Sequence, residues 1–354
     1  MALPFFSGGS KKRDHIVAID LGGRTTKGVT LQRRGDQYAL TAFSLHEAPV
    51  YEKNLSPDIL AEHLKTVLAA LGTKSRQVTI ALGVADSILR IADIPFMAVS
   101  DMRAMLKHNC KNYLQQDLPG YVFECYILPP RNMQHQSEGE KGPAKHKVLV
   151  GGARQQLVND IVAGGKNAGF TVDSIVPGLL GPVNAFELAH PEIFSKEVVA
   201  LVEIGFKNSS IAILQEGELA LSRVVGIGGD KMTSGLAESL GISTAEAEGI
   251  KMGMASEVQA NLEPLLIPLG RELRASIDFF EHQQEKTVGQ VFISGGSARS
   301  EFVVQCLQSE LMVPCKTWNP TGFLSLALSP QQMGEVEQVA PQLTVAVGAA
   351  VSSI

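Results

Sequence analysis

Runs of consecutive apolar residues, bounded by Gly and charged residues, recur along the chain, the pattern of strands buried on both faces in an α/β protein. They begin at Ile16-Val-Ala-Ile, return at Val78-Thr-Ile-Ala-Leu, and return again at Val198-Val-Ala-Leu-Val. Between the first two the period becomes helical. Ser56-Pro57 supplies a cap and a first-turn proline, Leu60, Leu64, Val67, Leu68 and Leu71 share one face, and Gly72 ends it. A strand over 87–92, an amphipathic helix over 100–116, and strands over 121–128 and 147–153 are expected next. The stretch 131–146 is polar and aperiodic, and reads as a hairpin tip that is at least partly disordered. Further helices are expected over 179–188 and 262–280, and Ser243-Thr-Ala-Glu246 is a capping box.

Two parts of this pattern are copies of each other. At an offset of 183 residues Asp20 meets Glu203, Gly22 meets Gly205, Arg24 meets Lys207, Thr26 meets Ser209 and Leu31 meets Leu214. After a one-residue gap, Gly35-Asp36 meets Gly217-Glu218. Each copy is an apolar run, an acidic residue and Gly, a short polar loop, a second apolar run, and a turn into a third strand. Two related domains facing each other follow from this.

Such a hairpin has a definite chemistry. A Gly in the turn lets the backbone approach a phosphate, and successive N–H groups with Thr or Ser hydroxyls can surround its oxygens. A carboxylate just before it, here Asp20, suits a hydrated Mg2+, and Lys27 adds positive charge nearby. A third Gly-rich element, Ile293-Ser-Gly295-Gly296, joins a strand to a helix, where bare backbone can lie flat against a nucleoside.

Composition narrows the classes. The 354 residues suit two domains, and 45% hydrophobic with 19% charged residues excludes a disordered chain or a rod. No apolar run approaches the length of a membrane span. A net charge of −5 gives no positive field for nucleic acid, and Lys11-Lys12-Arg13 and Arg33-Arg34 read as solvated surface. Cys110, Cys125, Cys306 and Cys315 lack metal or redox spacing and suit unpaired thiols in a reducing compartment. The opening ten residues are too short and too rich in Pro and Gly for a signal peptide, so a cytoplasmic protein is expected.

In their order these elements resemble the two phosphate loops and adenosine motif of the actin-like ATPase superfamily. More closely, the chain resembles the PilM family of type IV pilus assembly proteins, relatives of the division protein FtsA. The resemblance runs from about residue 15 to 354. It is carried by Asp20-Leu-Gly-Gly-Arg-Thr-Thr-Lys27, Gly226-Ile-Gly228-Gly229-Asp230, Leu240-Gly-Ile-Ser243, Ala247-Glu248-Gly-Ile-Lys251, Ile293-Ser-Gly-Gly-Ser-Ala298-Arg, and Val345-Ala-Val-Gly.

The resemblance implies a duplicated actin-like (RNase H-like) α/β fold with two domains across a nucleotide cleft, each carrying an inserted subdomain. The first domain is then 15–83 with 169–197, and its insertion, of the kind found in FtsA and PilM, is 84–168. The second is 198–230 with 287–354, and its helical insertion is 231–286. It implies ATP and Mg2+ as cofactors. Asp20 would hold the metal through water, and Gly22, Gly23, Arg24, Thr25, Thr26 and Lys27 would surround the phosphates. Glu203, Gly205, Lys207, Asn208 and Ser209 would close from the other side. Glu248 and Lys251 would meet ribose and base, Gly295, Gly296 and Ala298 would form the base platform, and Gly228 and Gly229 would also belong to the nucleotide site. The implied partners are the N-terminal cytoplasmic peptide of a PilN-like inner-membrane protein and pilus motor ATPases, with the chain held at the inner face of the inner membrane through them.

One residue departs from the superfamily's pattern: the second loop normally begins with Asp, and here it is Glu203. The extra methylene moves the carboxylate by about 1.5 Å, and no residue to orient an attacking water is evident, so slow or absent turnover is expected. The connecting segment 175–187 offers only Asn184 and Glu187. The alternatives are a filament former like FtsA and a small-molecule kinase. A kinase needs a general base, and Asp86, Asp93 and Asp101 are available without a recognisable context. The membrane-targeting helix of FtsA has no room after Val345-Ala-Val-Gly.

Overall fold

In this computed structural model, residues 13–49, 56–129 and 145–354 are described. The basic pair at 11–12, the opening ten residues and nearly all of the polar stretch 131–146 lie outside them. Both copies of the duplicated unit build the same sheet. In the first, β1 (His15–Asp20) pairs antiparallel with β2 (Thr25–Arg34), which pairs antiparallel with β3 (Gln37–Glu47). On its other side β1 runs parallel to β4 (Gln77–Leu82), followed by β8 (Thr171–Pro177). In the second, β9 (Val198–Ile204), β10 (Ser209–Gln215), β11 (Glu218–Val225) and β12 (Gln290–Gly295) repeat that order and those directions, with β13 (Cys315–Thr317) at the edge. Even the register repeats: Asp20 lies opposite Lys27 and Glu203 opposite Ser210, seven residues on in each copy. The tight turns also match, with Gly35 and Gly217 both in the left-handed region.

Helices cover the sheets. α1 (Pro57–Leu71) starts at Ser56, whose hydroxyl accepts from the Ile59 amide, and stops at Gly72 in the left-handed conformation. Its apolar face and α3 (Gln155–Ala168) close one side of the first sheet, with Val17, Ile19, Leu60, Leu64, Ile80 and Ile161 in one core. The three-stranded sheet of β5 (Ser87–Pro95), β7 (Lys145–Arg154) and β6 (Tyr121–Ile127), in that order, carries α2 (Val99–Leu114) on one face. The packing therefore ends this insertion near residue 154 rather than 168, because α3 belongs to the core of the first sheet.

The last part of the chain also differs from the sequence expectation, which gave all of 287–354 to the second domain. β14 (Ser325–Leu326) adds to β3 in the first sheet. α11 (Thr344–Val351) packs on β1 and on α4 (Gly181–Ala189). Every residue of α11 is buried, in a core that contains Ile16 and Ala18 of the first sheet and Val199, Leu201 and Phe292 of the second. A helix without a polar face carries no sequence signal for which sheet it serves. The remaining helices are α5 (Pro191–Lys196), α6 (Gly229–Leu240), α7 (Thr244–Gly253), α8 (Gln259–Gln284), α9 (Glu301–Leu311) and α10 (Pro330–Val339). The Ser243–Glu246 capping box opens α7 as expected. Trp318 packs edge-on against Phe186, with ring centroids 5.3 Å apart.

α4 and α11 cross at glycines. A Cβ at residue 348 would lie 1.8 Å from the Gly181 carbonyl oxygen, and one at 181 would lie 2.7 Å from the Val345 Cα. Ala gains about 1 kcal/mol of helix propensity over Gly, but the contact is with backbone and cannot be relieved by a rotamer. Overpacking of this kind costs about 1–3 kcal/mol or more. Gly348→Ala should therefore lower stability by roughly 1 kcal/mol or more net, read from the urea midpoint, and a midpoint that rises would contradict the crossing.

Candidate nucleotide site

Parallel neighbours end at the same edge of a sheet, and ligands of α/β proteins sit beyond those carboxyl ends. β1 with β4, and β9 with β12, end on opposite walls of one cleft, a cavity of about 420 Å³. Its size is within the usual range for small-molecule sites.

The first wall is the loop after β1. Asp20 is buried at the strand end, and Lys27 Nζ donates to its Oδ2 at 3.0 Å. Gly22 lies beneath that pair: a Cβ there would sit 2.5 Å from Lys27 Nζ and 2.5 Å from the Thr25 carbonyl oxygen. The second wall is the loop after β9. A Cβ at Gly205 would come within 2.6 Å of the Asn208 carbonyl oxygen, so only Gly fits. This loop is fastened to the start of α6, where the Gly229 amide donates to the Gly205 carbonyl (2.9 Å) and the Asp230 amide to that of Phe206 (2.8 Å).

Glu203 is buried at the end of β9, and Ser294 donates a short hydrogen bond to it. Burial pushes its carboxyl up to about 7, helped by the Asp20 charge and opposed by Ser294 and Lys27. Deeper in, Lys251 is almost wholly buried; its Nζ donates to Glu248 Oε2 and to Thr233 Oγ1, both at 2.8 Å. Burial alone would raise the Glu248 carboxyl, but hydrogen bonds from Lys251 and Thr233 and the charges of Lys251 and Arg24 hold it below the usual range. Arg24 crosses the cleft. It leaves the first wall, pairs with Glu248 at 3.2 Å, and lies 5.6 Å from the centre of the Phe206 ring.

A family model described as "Type IV pilus assembly protein PilM" matches residues 18–354, nearly the whole chain. The chain belongs to the PilM family. A solved structure of a PilM-PilN type IV pilus biogenesis complex matches with a TM-score of 0.82 and 22% identity, over 97% of this chain and 99% of that one. The ethanolamine utilization protein EutJ from Carboxydothermus hydrogenoformans gives 0.56 at 14% identity, over 98% and 92%. MreB5 of Spiroplasma citri bound to ADP gives 0.50 at 10% identity, over 88% and 94%. The fold is thus the duplicated actin-like ATPase fold that the sequence implied. The cell division protein FtsA of Bacillus subtilis (strain 168) is 42% identical over 53 residues, only 15% of this chain and 12% of that protein.

Of the site residues read from the sequence of this PilM-family chain, the cleft lining gathers Asp20, Gly22, Gly23, Arg24, Thr25, Lys27, Glu203, Gly205, Lys207, Asn208, Gly229, Glu248, Lys251 and Gly296. Five do not line it. Thr26 and Ser209, equivalent in the two copies, both face inward: Thr26 meets His63 Nε2 at 2.7 Å, and Ser209 donates to the Ile227 carbonyl at 2.7 Å. Gly228 and Gly295 lie under the walls, where a Cβ would come within 2.3 Å of the Phe206 and Ile204 carbonyl oxygens respectively. Ala298 lines an adjoining cavity of about 310 Å³ with Met252 and Arg299. Asp86, which the sequence offered only as a general base for a kinase, also lines the cleft, as do Gly178, Met252, Arg299 and Gln342, which the sequence reading missed. Asp86 follows β4 by four residues, and the strand-end rule points to it; its carboxyl is pushed up by burial. Gln342 carries no sequence signal.

The buried Glu203 has a consequence for stability. Its pKa is raised from 4.5 to about 7, so the folded state holds a proton that the unfolded state has lost between those values. Stability is then full below about pH 4.5 and falls as pH rises through about 7, by about 3 kcal/mol in all. Glu203→Gln should remove that fall. Urea midpoints at pH 5 and pH 8 check it: an equal drop in both proteins would show that Glu203 does not titrate in this range.

Proposed function

We propose that this chain is an ATP-binding scaffold of type IV pilus assembly that recruits the cytoplasmic tail of a PilN-like inner-membrane protein. The observation that carries the nucleotide half is the facing of two duplicated glycine loops, 22–27 and 205–208, across one cleft, with Gly296 as an open shelf between them and the interior. A Cβ at Gly296 meets nothing within 4 Å, so the backbone there is free to support a base. The likeness to the fold of MreB5, solved with ADP, supports the same reading.

Asp20 fits a metal held through water. Among the described residues no three His, Cys, Asp or Glu side chains cluster, so the phosphates themselves would supply the remaining ligands, as is usual for Mg2+. Bound there, the metal would neutralise phosphate charge. Lys27 would then release Asp20 and turn to the phosphates, and Arg24 would exchange Glu248 for them. Turnover is slow in this reading. Where β8 reaches the cleft, the lining residue is Gly178, which has no side chain to orient water, and Asn184 is buried with its amide donating to the Gly348 carbonyl. Glu203 is close to half protonated at neutral pH.

The partner half rests on membership of the PilM family and on the fold shared with the PilM-PilN complex. We place the tail on the inserted subdomain together with the first domain, since that subdomain contributes none of the glycine loops. The protein would act in the cytoplasm at the inner face of the inner membrane, near the pilus motor ATPases. No helix of the described residues is long and apolar enough to cross a membrane, which agrees with attachment through partners.

Gly296→Arg should abolish ATP binding in isothermal titration while leaving the melting temperature unchanged, because the new side chain enters open space rather than a core. Unaltered affinity in that variant would place the nucleotide elsewhere. The wild-type protein alone should release phosphate well below about 1 per second, the low end of ordinary enzymes.

The tail is tested by pull-down with the N-terminal peptide of the PilN-like protein. Ser87 pairs with Ala153, so 88–152 can be replaced by a short Gly-Ser turn. Binding should vanish in that variant, with circular dichroism showing the remainder folded. Retained binding would move the tail off the insertion.

A further inference from the structure

A second groove, of about 550 Å³, lies between the inserted subdomain and the second domain. One wall is β5, an edge strand of the three-stranded sheet, and another is β11, an edge strand of the five-stranded sheet; α8 completes it. Among the described residues, each strand has a sheet neighbour on one side only. Its surface is mostly apolar, through Leu89, Ile91, Leu219 and Leu221, and Phe279 lies 55% exposed at its margin.

Two polar groups in this lining lack the partners their burial calls for. Arg90 is half-buried, and among the described residues its guanidinium bonds only to its own neighbour, the Leu89 carbonyl at 2.9 Å. Among the described residues no carboxylate pairs with it. Burial pushes its pKa below the usual arginine value, the sign of a cation with too little compensation. Ser222 on β11 has a buried hydroxyl with no hydrogen-bond partner among the described residues. Arg223, by contrast, already has Glu272 and Ser276.

An apolar trough between open strand edges suits an extended chain, whose backbone can add to an edge while alternate side chains enter the trough. The unpaired guanidinium selects for negative charge, since a carboxylate can meet it in a two-pronged hydrogen bond. We propose that this groove docks an extended acidic segment of a partner protein, with a carboxylate seated on Arg90. It uses the second domain, unlike the surface assigned above to the PilN-like tail, and stands independently of that reading.

The test uses the full-length protein and two fluorescein-labelled decapeptides, one alternating Val and Glu and one alternating Val and Lys, followed by fluorescence anisotropy. The Val-Glu peptide should bind and the Val-Lys peptide should not. Arg90→Met, which keeps the packing and removes the charge, should weaken Val-Glu binding about tenfold or more, and Arg90→Lys should restore part of it. Phe279→Ala, at an exposed position, should weaken it as well and serves if the Arg90 variants melt early. The PilN-like tail should bind Arg90→Met as it binds wild type. Equal binding of both peptides, no binding of either, or Val-Glu affinity unchanged in the variants would overturn the proposal. So would a dimer in sedimentation velocity that Arg90→Met dissolves, which would give the groove to a second copy of the chain.

Discussion

The Gly181 carbonyl oxygen occupies the place a side chain at 348 would need. Because α4 and α11 touch backbone to backbone, the layer between the two sheets is as thin as helices allow. Phe186 on α4 then reaches Phe292 of β12, with ring centroids 4.6 Å apart, and joins the first domain to the second. The separation of the sheets fixes how far apart the ends of β1 and β9 stand, and so the width of the cleft. A buried glycine pair next to the lining residue Val345 thus bears on the geometry of the site.

Within that geometry the charges are arranged to be exchanged. Lys27 neutralises Asp20, Lys251 and Arg24 neutralise Glu248, and Glu203 meets its burial partly by taking up a proton. Each arrangement is satisfied without a ligand, yet all three cations, Lys27, Arg24 and Lys251, line the cavity. An anion entering it competes with carboxylates that are already present, so its net gain is smaller than the contacts alone suggest. The ion pair of Arg24 with Glu248 also bridges the two walls and favours a closed cleft before anything binds.

Much of the architecture was legible because it is written twice. The repeat from Asp20 to Glu203 gave the two domains, and the structure repeats it down to the register of the strands. The helix ends at Ser56 and Gly72 and the capping box at Ser243 were legible because local chemistry decides them. The placement of α3 and α11 was not, since burial against one sheet or another leaves no periodic trace. At the cleft, the residues read from the loops after β1 and β9 line its walls, while Thr26 and Ser209 do not, for a simple reason: side chains alternate along a strand. Thr25 and Lys27 face the cleft, so Thr26 between them must face away. Asp86 reaches the cleft from the end of β4, whereas Gln342 reaches it only through long-range packing.

The position of α11 also governs how the chain can fold as it is made. α11 packs on β1, more than three hundred residues earlier in the sequence. Synthesis delivers β1 first, yet one face of its sheet has no permanent cover until residues 344–351 emerge. The amino-terminal half cannot complete its core during elongation, and its closing contacts are among the most remote in the chain. Apolar surface around Ile16 and Ala18 therefore waits in a nascent state until residues 344–351 have been made.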